Sequence, residues 1–260
     1  MRAPHTLATL DEVGMGDHVC QLLGPSDDVV DRSRAFVADG ELFGDKVVIV
    51  GSALASRGEF APVTLDPSRT EGSLLAAVRR EAASAGREGF RSLRVLHHVT
   101  PGAGAGRPEQ LLRSELDLEE FASDSGALVL CAYSSADWDA PTLEQIGCVH
   151  PHHLGSRPAS PAFQVYRTGK DGWSVDGVID SEGAPAFGAV LRTLLAQTAT
   201  VRLLCQGLEF LDAAGMSALA EAARGMPDRK VVLDGTNETV RLAWDLSGFA
   251  TPAVPVVMTP

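Results

Sequence analysis

Gly44-Asp45-Lys46-Val47-Val48-Ile49-Val50 is the stretch that decides the fold. Val47 to Val50 is an unbroken apolar run, the pattern of a strand in a sheet covered on both faces. Upstream, His18-Val19-Cys20-Gln21-Leu22-Leu23 is a second β-type run. Between the two, Asp27 and Asp28 stand where a helix needs caps, ahead of Val29, Val30, Ser33, Phe36 and Val37 at helical spacing. Downstream, a helical pattern over 72–86 (Leu74, Leu75, Val78) gives way to the strand Leu93-Arg94-Val95-Leu96. A further helix over 108–123 (Leu111, Leu112, Leu116, Glu119, Glu120) precedes the strand 127–133. Strands alternating with helices predict an α/β layered domain with a mainly parallel sheet.

The rhythm breaks at Gly155-Ser156-Arg157-Pro158-Ala159-Ser160-Pro161 and again at Thr168-Gly169-Lys170-Asp171-Gly172, where Pro, Gly and Ser suit an exposed linker. We place the boundary near 167–172, giving domains over 13–167 and 172–260. The second domain repeats the alternation on a smaller scale. Strands are expected at 173–179, 201–205 and 230–233, with an edge strand near 254–257. Helices are expected around Phe187–Leu194, Met216–Ala223 and Val240–Trp244, the last stopping at Gly248.

Composition narrows the partners. The 260 residues are 45% hydrophobic and carry a formal net charge of −12. The excess of acid divides as −8 over residues 1–168 and −4 over 169–260, which opposes non-specific attraction to nucleic acid or anionic lipid. No run reaches the ~20 apolar residues of a membrane span, and the amino-terminal residues lack the apolar core of a secretory signal. The expectation is a cytoplasmic protein. Cys20, Cys131, Cys148 and Cys205 contain no C-x-x-C pair and are expected as buried thiols.

The segment Leu208-Glu209-Phe210-Leu211-Asp212-Ala213-Ala214-Gly215-Met216-Ser217-Ala218-Leu219 resembles the signature turn of the STAS domain of anti-sigma factor antagonists. Val175–Asp180 and the run from Val240 to Phe249 resemble that family's first strand and closing helix. The resemblance implies a small STAS-like α/β domain that touches an anti-sigma factor or related regulator through Asp212, Ala213, Ala214, Gly215 and Met216. In partner-switching antagonists the residue after the aspartate is a serine, and its phosphorylation breaks the interface by adding negative charge. Here Ala213 and Ala214 fill both hydroxyl positions, so switching at this turn must run without phosphate. The local alternative is that Asp212 simply caps the helix that follows.

Gly16-Asp17-His18-Val19-Cys20 resembles the opening of the MEDS sensory domain. Phe36–Gly40 with Gly44–Ile49, Leu130-Cys131-Ala132-Tyr133, and His150-Pro151 resemble later motifs of that family. Leu23 stands in place of its tyrosine, and Ser134 in place of the aspartate common after Tyr133. This resemblance implies a sensor on a RecA- and KaiC-like sheet, of bacterial signalling type. It also raises nucleotide hydrolysis. A working P-loop needs G-x-x-x-x-G-K-[ST], because lysine neutralises phosphate charge and Ser/Thr holds Mg²⁺. The segment Gly24-Pro25-Ser26-Asp27-Asp28-Val29 has one glycine, no lysine and two aspartates. A second glycine-rich run, Pro101–Pro108, reads as a surface loop.

His18 and Cys20 lie two apart on one strand and so share a face. With Tyr133 and His150 they are the candidate sensor residues, lining a pocket for a small molecule. Cys148-Val149-His150-Pro151-His152-His153 adds further soft donors, which leaves metal binding and buried structural thiols open as alternatives. His97-His98 reads as hydrogen-bonded scaffold. The reading that results is a non-catalytic regulator: a sensor coupled to a protein-interaction domain, with no cofactor, no nucleic-acid partner and no membrane partner. The alternatives are an enzyme with residual nucleotide hydrolysis or Cys20/His18 thiol chemistry, and a metal-binding sensor.

Overall fold

The computed structural model describes residues 4–51, 63–66, 73–102, 108–155, 161–169 and 172–260. Contacts divide the described residues into two units. One runs to Leu143 and resumes at His150; the other comprises Glu144–Val149 and the chain from Pro161 onward. Residues 161–167 therefore belong with the second unit, whereas composition alone sets the break at 167–172. Linker positions 156–160 and 170–171 and loop positions 103–107 lie outside the described residues.

The first unit is built on seven parallel strands. These are β1 (His5–Leu7), β2 (His18–Leu23), β3 (Lys46–Val50), β4 (Val63–Leu65), β5 (Leu93–Val99), β6 (Leu128–Ser134) and β7 (His152–Leu154). Their order across the sheet is β1-β7-β2-β6-β5-β3-β4. The central strands are buried on both faces, which is why β3 shows no alternation. Helix α1 (Val29–Phe43) starts where Asp28 accepts the Val30 and Asp31 amides. It lays Val30, Phe36 and Val37 on Val19, Val47, Ile49, Leu96, Leu128 and Leu130. Helix α2 (Leu74–Glu88) is capped by Ser73, and α3 (Pro108–Ser125) buries Leu111, Leu112, Leu116 and Phe121. A shorter helix, α4 (Ala140–Gly147), follows β6.

One ion-pair network ties β3 to β5. The Asp45 carboxylate accepts hydrogen bonds from Arg91 Nε and Nη2 and from Arg94 Nε, all at 2.8 Å. Arg94 is buried, lies over the Phe36 ring at 5.1 Å, and also donates to the Phe36 carbonyl. Burial alone would raise the Asp45 pKa; the two guanidinium groups outweigh it and hold the carboxyl below its ordinary range.

The second unit has a six-stranded mixed sheet. Its strands are β8 (Phe163–Arg167), β9 (Trp173–Ile179), β10 (Thr200–Leu204), β11 (Leu208–Leu211), β12 (Lys230–Asp234) and β13 (Val256–Met258). The order is β11-β9-β10-β12-β13, with β8 antiparallel to β9. Helices α5 (Ala184–Gln197), α6 (Ala213–Arg224) and α7 (Glu238–Leu246) pack by their apolar stripes. The short strands β1, β4, β7, β8 and β11 are additions to the expected set, since three to five residues carry too little periodicity to announce a strand. The tail does form an edge strand, β13. Among the described residues no helix is long and apolar enough to cross a membrane, and both units are of the α/β class.

Replacing Asp45 with Ala leaves the buried Arg94 guanidinium without its closest counter-charge, with Asp39 4.0 Å away. We expect a loss of about 3–5 kcal/mol in unfolding free energy, measured by urea denaturation at neutral pH. The Asp45 pKa is depressed on folding, so its contribution is present above the unfolded carboxylate value and fades as pH falls through the folded one. The difference between wild type and variant should therefore narrow only in acid.

Candidate functional site

Strands β2 and β6 run parallel with His18 opposite Val129, Cys20 opposite Cys131 and Leu22 opposite Tyr133. Side chains of paired residues rise on the same side, so His18, Cys20, Cys131 and Tyr133 share one face of the sheet. Helix α3 crosses that face near β2. Its Glu115 and Glu119 are one turn apart, on the same stripe as Leu111, Leu112 and Leu116. His150 enters from the turn between α4 and β7.

These elements converge on a cluster with no solvent exposure. Glu115 Oε2 lies 3.3 Å from His18 Nε2 and 3.2 Å from His150 Nε2. Glu119 Oε2 lies 3.3 Å from the other ring nitrogen of His18, Nδ1. The Cys131 sulfur is 3.4 Å from His18 Nε2 and 4.0 Å from His97 Nδ1. The His18 and His150 rings sit 4.0 Å apart between centroids, and Tyr133 meets His150 edge-on at 6.2 Å.

Charge is distributed unevenly across the cluster. Burial would lower the His18 pKa, but Glu115 and Glu119 outweigh it and raise it to about 9. Burial drives His97 down to about 4, so that ring is neutral at pH 7. Glu115 is held well below its ordinary range, because the two histidines overcome its desolvation. Desolvation, reinforced by Glu115, pushes the Cys20, Cys131 and Tyr133 pKa values upward. A thiol in that condition is a weaker nucleophile than a free one, and the thiol against His18 is that of Cys131 rather than Cys20. His18, Glu115, Cys131 and His150 each offer a donor atom, all within 4.8 Å of one another. Among the described residues, these four form the group that could hold a metal.

Of the sequence candidates, His18 and His150 sit at the centre and Tyr133 at the edge. Cys20 shares the face and is buried, but the thiol against His18 is that of Cys131. His97, expected as hydrogen-bonded scaffold, contacts the Cys131 sulfur at the border of the cluster. Sequence reasoning missed Glu115, Glu119 and Cys131 as site residues. The available signal was a pair of carboxylates four apart on an otherwise apolar helical stripe. A groove of about 450 Å³ in the first unit is lined by Leu7, Leu10, Gln21, Arg32 and Leu154, and none of the four sensor candidates borders it.

The turn after β2 bears on nucleotide binding. The Gly24 amide donates to Asp27 Oδ2 at 2.8 Å, and Asp28 takes the first amides of α1. These backbone amides are taken up by the chain's own carboxylates.

In the second unit Asp212 caps α6, its Oδ1 accepting from the Gly215 amide at 2.8 Å. Ala213 is exposed and Asp212 and Ala214 are half-buried, whereas Gly215 and Met216 are buried. In this structure those two pack inside the unit, and their side chains offer little surface to a partner. A Cβ on Gly215 would meet Leu211 Cδ1 at 2.5 Å and Ile179 Cγ2 at 2.9 Å, so only glycine lets α6 lie this close to the sheet. Phe210, 48% exposed, extends the accessible part of the turn.

Two family models match the chain. The model described as MEDS, the "MEthanogen/methylotroph, DcmR Sensory domain", matches residues 17–151. The model described as "Mlab, STAS domain" matches residues 168–257. None of the curated proteins matches. The geometry makes Glu115 the hub of the cluster, and Glu115→Gln removes the charge facing both imidazoles. We expect it to lower the unfolding free energy by about 3 kcal/mol in a denaturant titration.

Proposed function

The chain belongs to the MEDS sensory family and carries a STAS domain after it; from that premise we propose a cytoplasmic, non-catalytic regulator whose sensor acts on a protein partner. The partner is an anti-sigma factor or a related partner-switching regulator, met by the STAS domain without phosphorylation at the usual serine position. The observation that carries the sensory reading is the buried cluster of His18, Glu115, Glu119, Cys131 and His150. Ionised groups with no exposure disfavour folding unless fully compensated, so an apolar stripe on α3 would suit stability at least as well. The carboxylates are accounted for by what the cluster binds or senses.

The absence of chemistry at two places supports a regulator rather than an enzyme. Aspartates occupy the loop after β2 where phosphate would lie, and burial holds the thiols protonated. A signal reaches a partner only if two states of the protein differ in affinity for it. In the STAS domain that difference must fall on the accessible surface of Phe210, Asp212, Ala213 and Ala214.

Affinity capture from the native host, with the full chain as bait, tests this reading. Ala213→Glu and Phe210→Asp should each reduce recovery of the main protein partner at least about tenfold, as for a residue central to an interface, with thermal unfolding little changed. Equal recovery by wild type and both variants would overturn the assignment of this surface. A kinase of the anti-sigma type should place no phosphate within 208–219, where Ser217 offers the one hydroxyl.

A further inference from the structure

We propose that His18 Nε2, His150 Nε2, Glu115 and the Cys131 sulfur bind a single divalent transition-metal ion of the zinc class. The proposal rests on reading this cluster as the sensory centre and names what that centre holds. The donor set is two imidazoles, one carboxylate and one thiolate. Tetrahedral Zn²⁺ accepts all three types, and Fe²⁺ or Co²⁺ would fit the same set. Mg²⁺ and Ca²⁺ are disfavoured, because they take oxygen donors.

Distances support a common centre. With metal–nitrogen and metal–oxygen bonds of about 2.0–2.1 Å and a metal–sulfur bond of about 2.3 Å, the edges of a tetrahedron come to about 3.3 Å and 3.6 Å. The observed separations are 3.3 Å for His18 to Glu115, 3.2 Å for His150 to Glu115 and 3.4 Å for His18 to Cys131. Three of the six donor separations thus match the edges of such a tetrahedron, and all six lie within 4.8 Å. The fully buried Glu115 carboxylate meets His18 and His150 as ion-pair contacts, which a divalent cation at the centre would replace with bonds to the metal.

The surroundings point the same way. Glu119 lies against His18 Nδ1, on the far side of the ring from the other donors. A carboxylate in that place fixes the tautomer that leaves Nε2 free to coordinate, and raises its basicity. Within the four-donor set charge balances, one carboxylate and one thiolate matching a divalent cation, while Glu119 faces the Nδ1 proton of His18. Binding releases to solvent the Cys131 thiol proton and any second proton on His18, and no electrons move.

The test is metal content and Co²⁺ spectroscopy of the full chain, purified without chelators and then refolded with Co²⁺. One equivalent of metal per chain is expected, with the intense visible bands of tetrahedral Co²⁺ and a sulfur-to-cobalt charge-transfer band. Cys131→Ser should abolish the charge-transfer band. Cys20→Ser, Cys148→Ser and Cys205→Ser should retain it, and Glu119→Gln should weaken Co²⁺ binding about 10–100-fold. Folded wild-type chain that takes up neither Zn²⁺ nor Co²⁺ stoichiometrically would overturn the proposal, leaving a histidine held between two carboxylates. So would a charge-transfer band that survives in Cys131→Ser. If Cys131→Ser does not fold, wild-type stoichiometry and the charge-transfer band still decide. Metal uptake is read without any partner, so its failure and failure of the STAS surface are separate results.

Discussion

A carboxylate with no exposure to water is stable only where positive charge or hydrogen-bond donors surround it, and Glu115 imposes that condition on the whole first unit. It draws His18 from β2, His150 from the turn before β7 and Cys131 from β6 to one point beneath α3. In the sheet β2 lies between β6 and β7, which places His18 close to both Cys131 and His150. A one-residue slip between β2 and β6 would turn His18 away from Cys131 to the opposite face.

The two faces of that sheet therefore do different work. Toward α1 the packing is apolar, with Phe36, Val37, Ile49 and Leu130 at its centre. Toward α3 the same strands present imidazoles and thiols. The second polar network, Asp45 with Arg91 and Arg94, is satisfied by well-formed hydrogen bonds and reads as structural. The contrast is instructive: Asp45 has every oxygen engaged by arginine, whereas Glu115 meets His18 and His150 as ion-pair contacts.

In the STAS domain the chemistry lies in an absence. Asp212 remains the cap of α6, and Gly215 remains the point of close packing. Ala213 takes the exposed position between them. No hydroxyl group stands at position 213 or 214.

The sequence by itself determined the α/β class, the long strands and helices, and two families in order. Those rest on local periodicity, capping residues and short motifs, all properties of neighbours along the chain. His18, Tyr133 and His150 were legible for the same reason, as parts of motifs. Only the tertiary structure decided that Cys131 rather than Cys20 meets His18, and that Glu115 and Glu119 face them. It also decided that Gly215 and Met216 are buried. These depend on which strand lies beside which and on how α3 is rotated, and pairings between residues a hundred apart leave no local trace in one sequence.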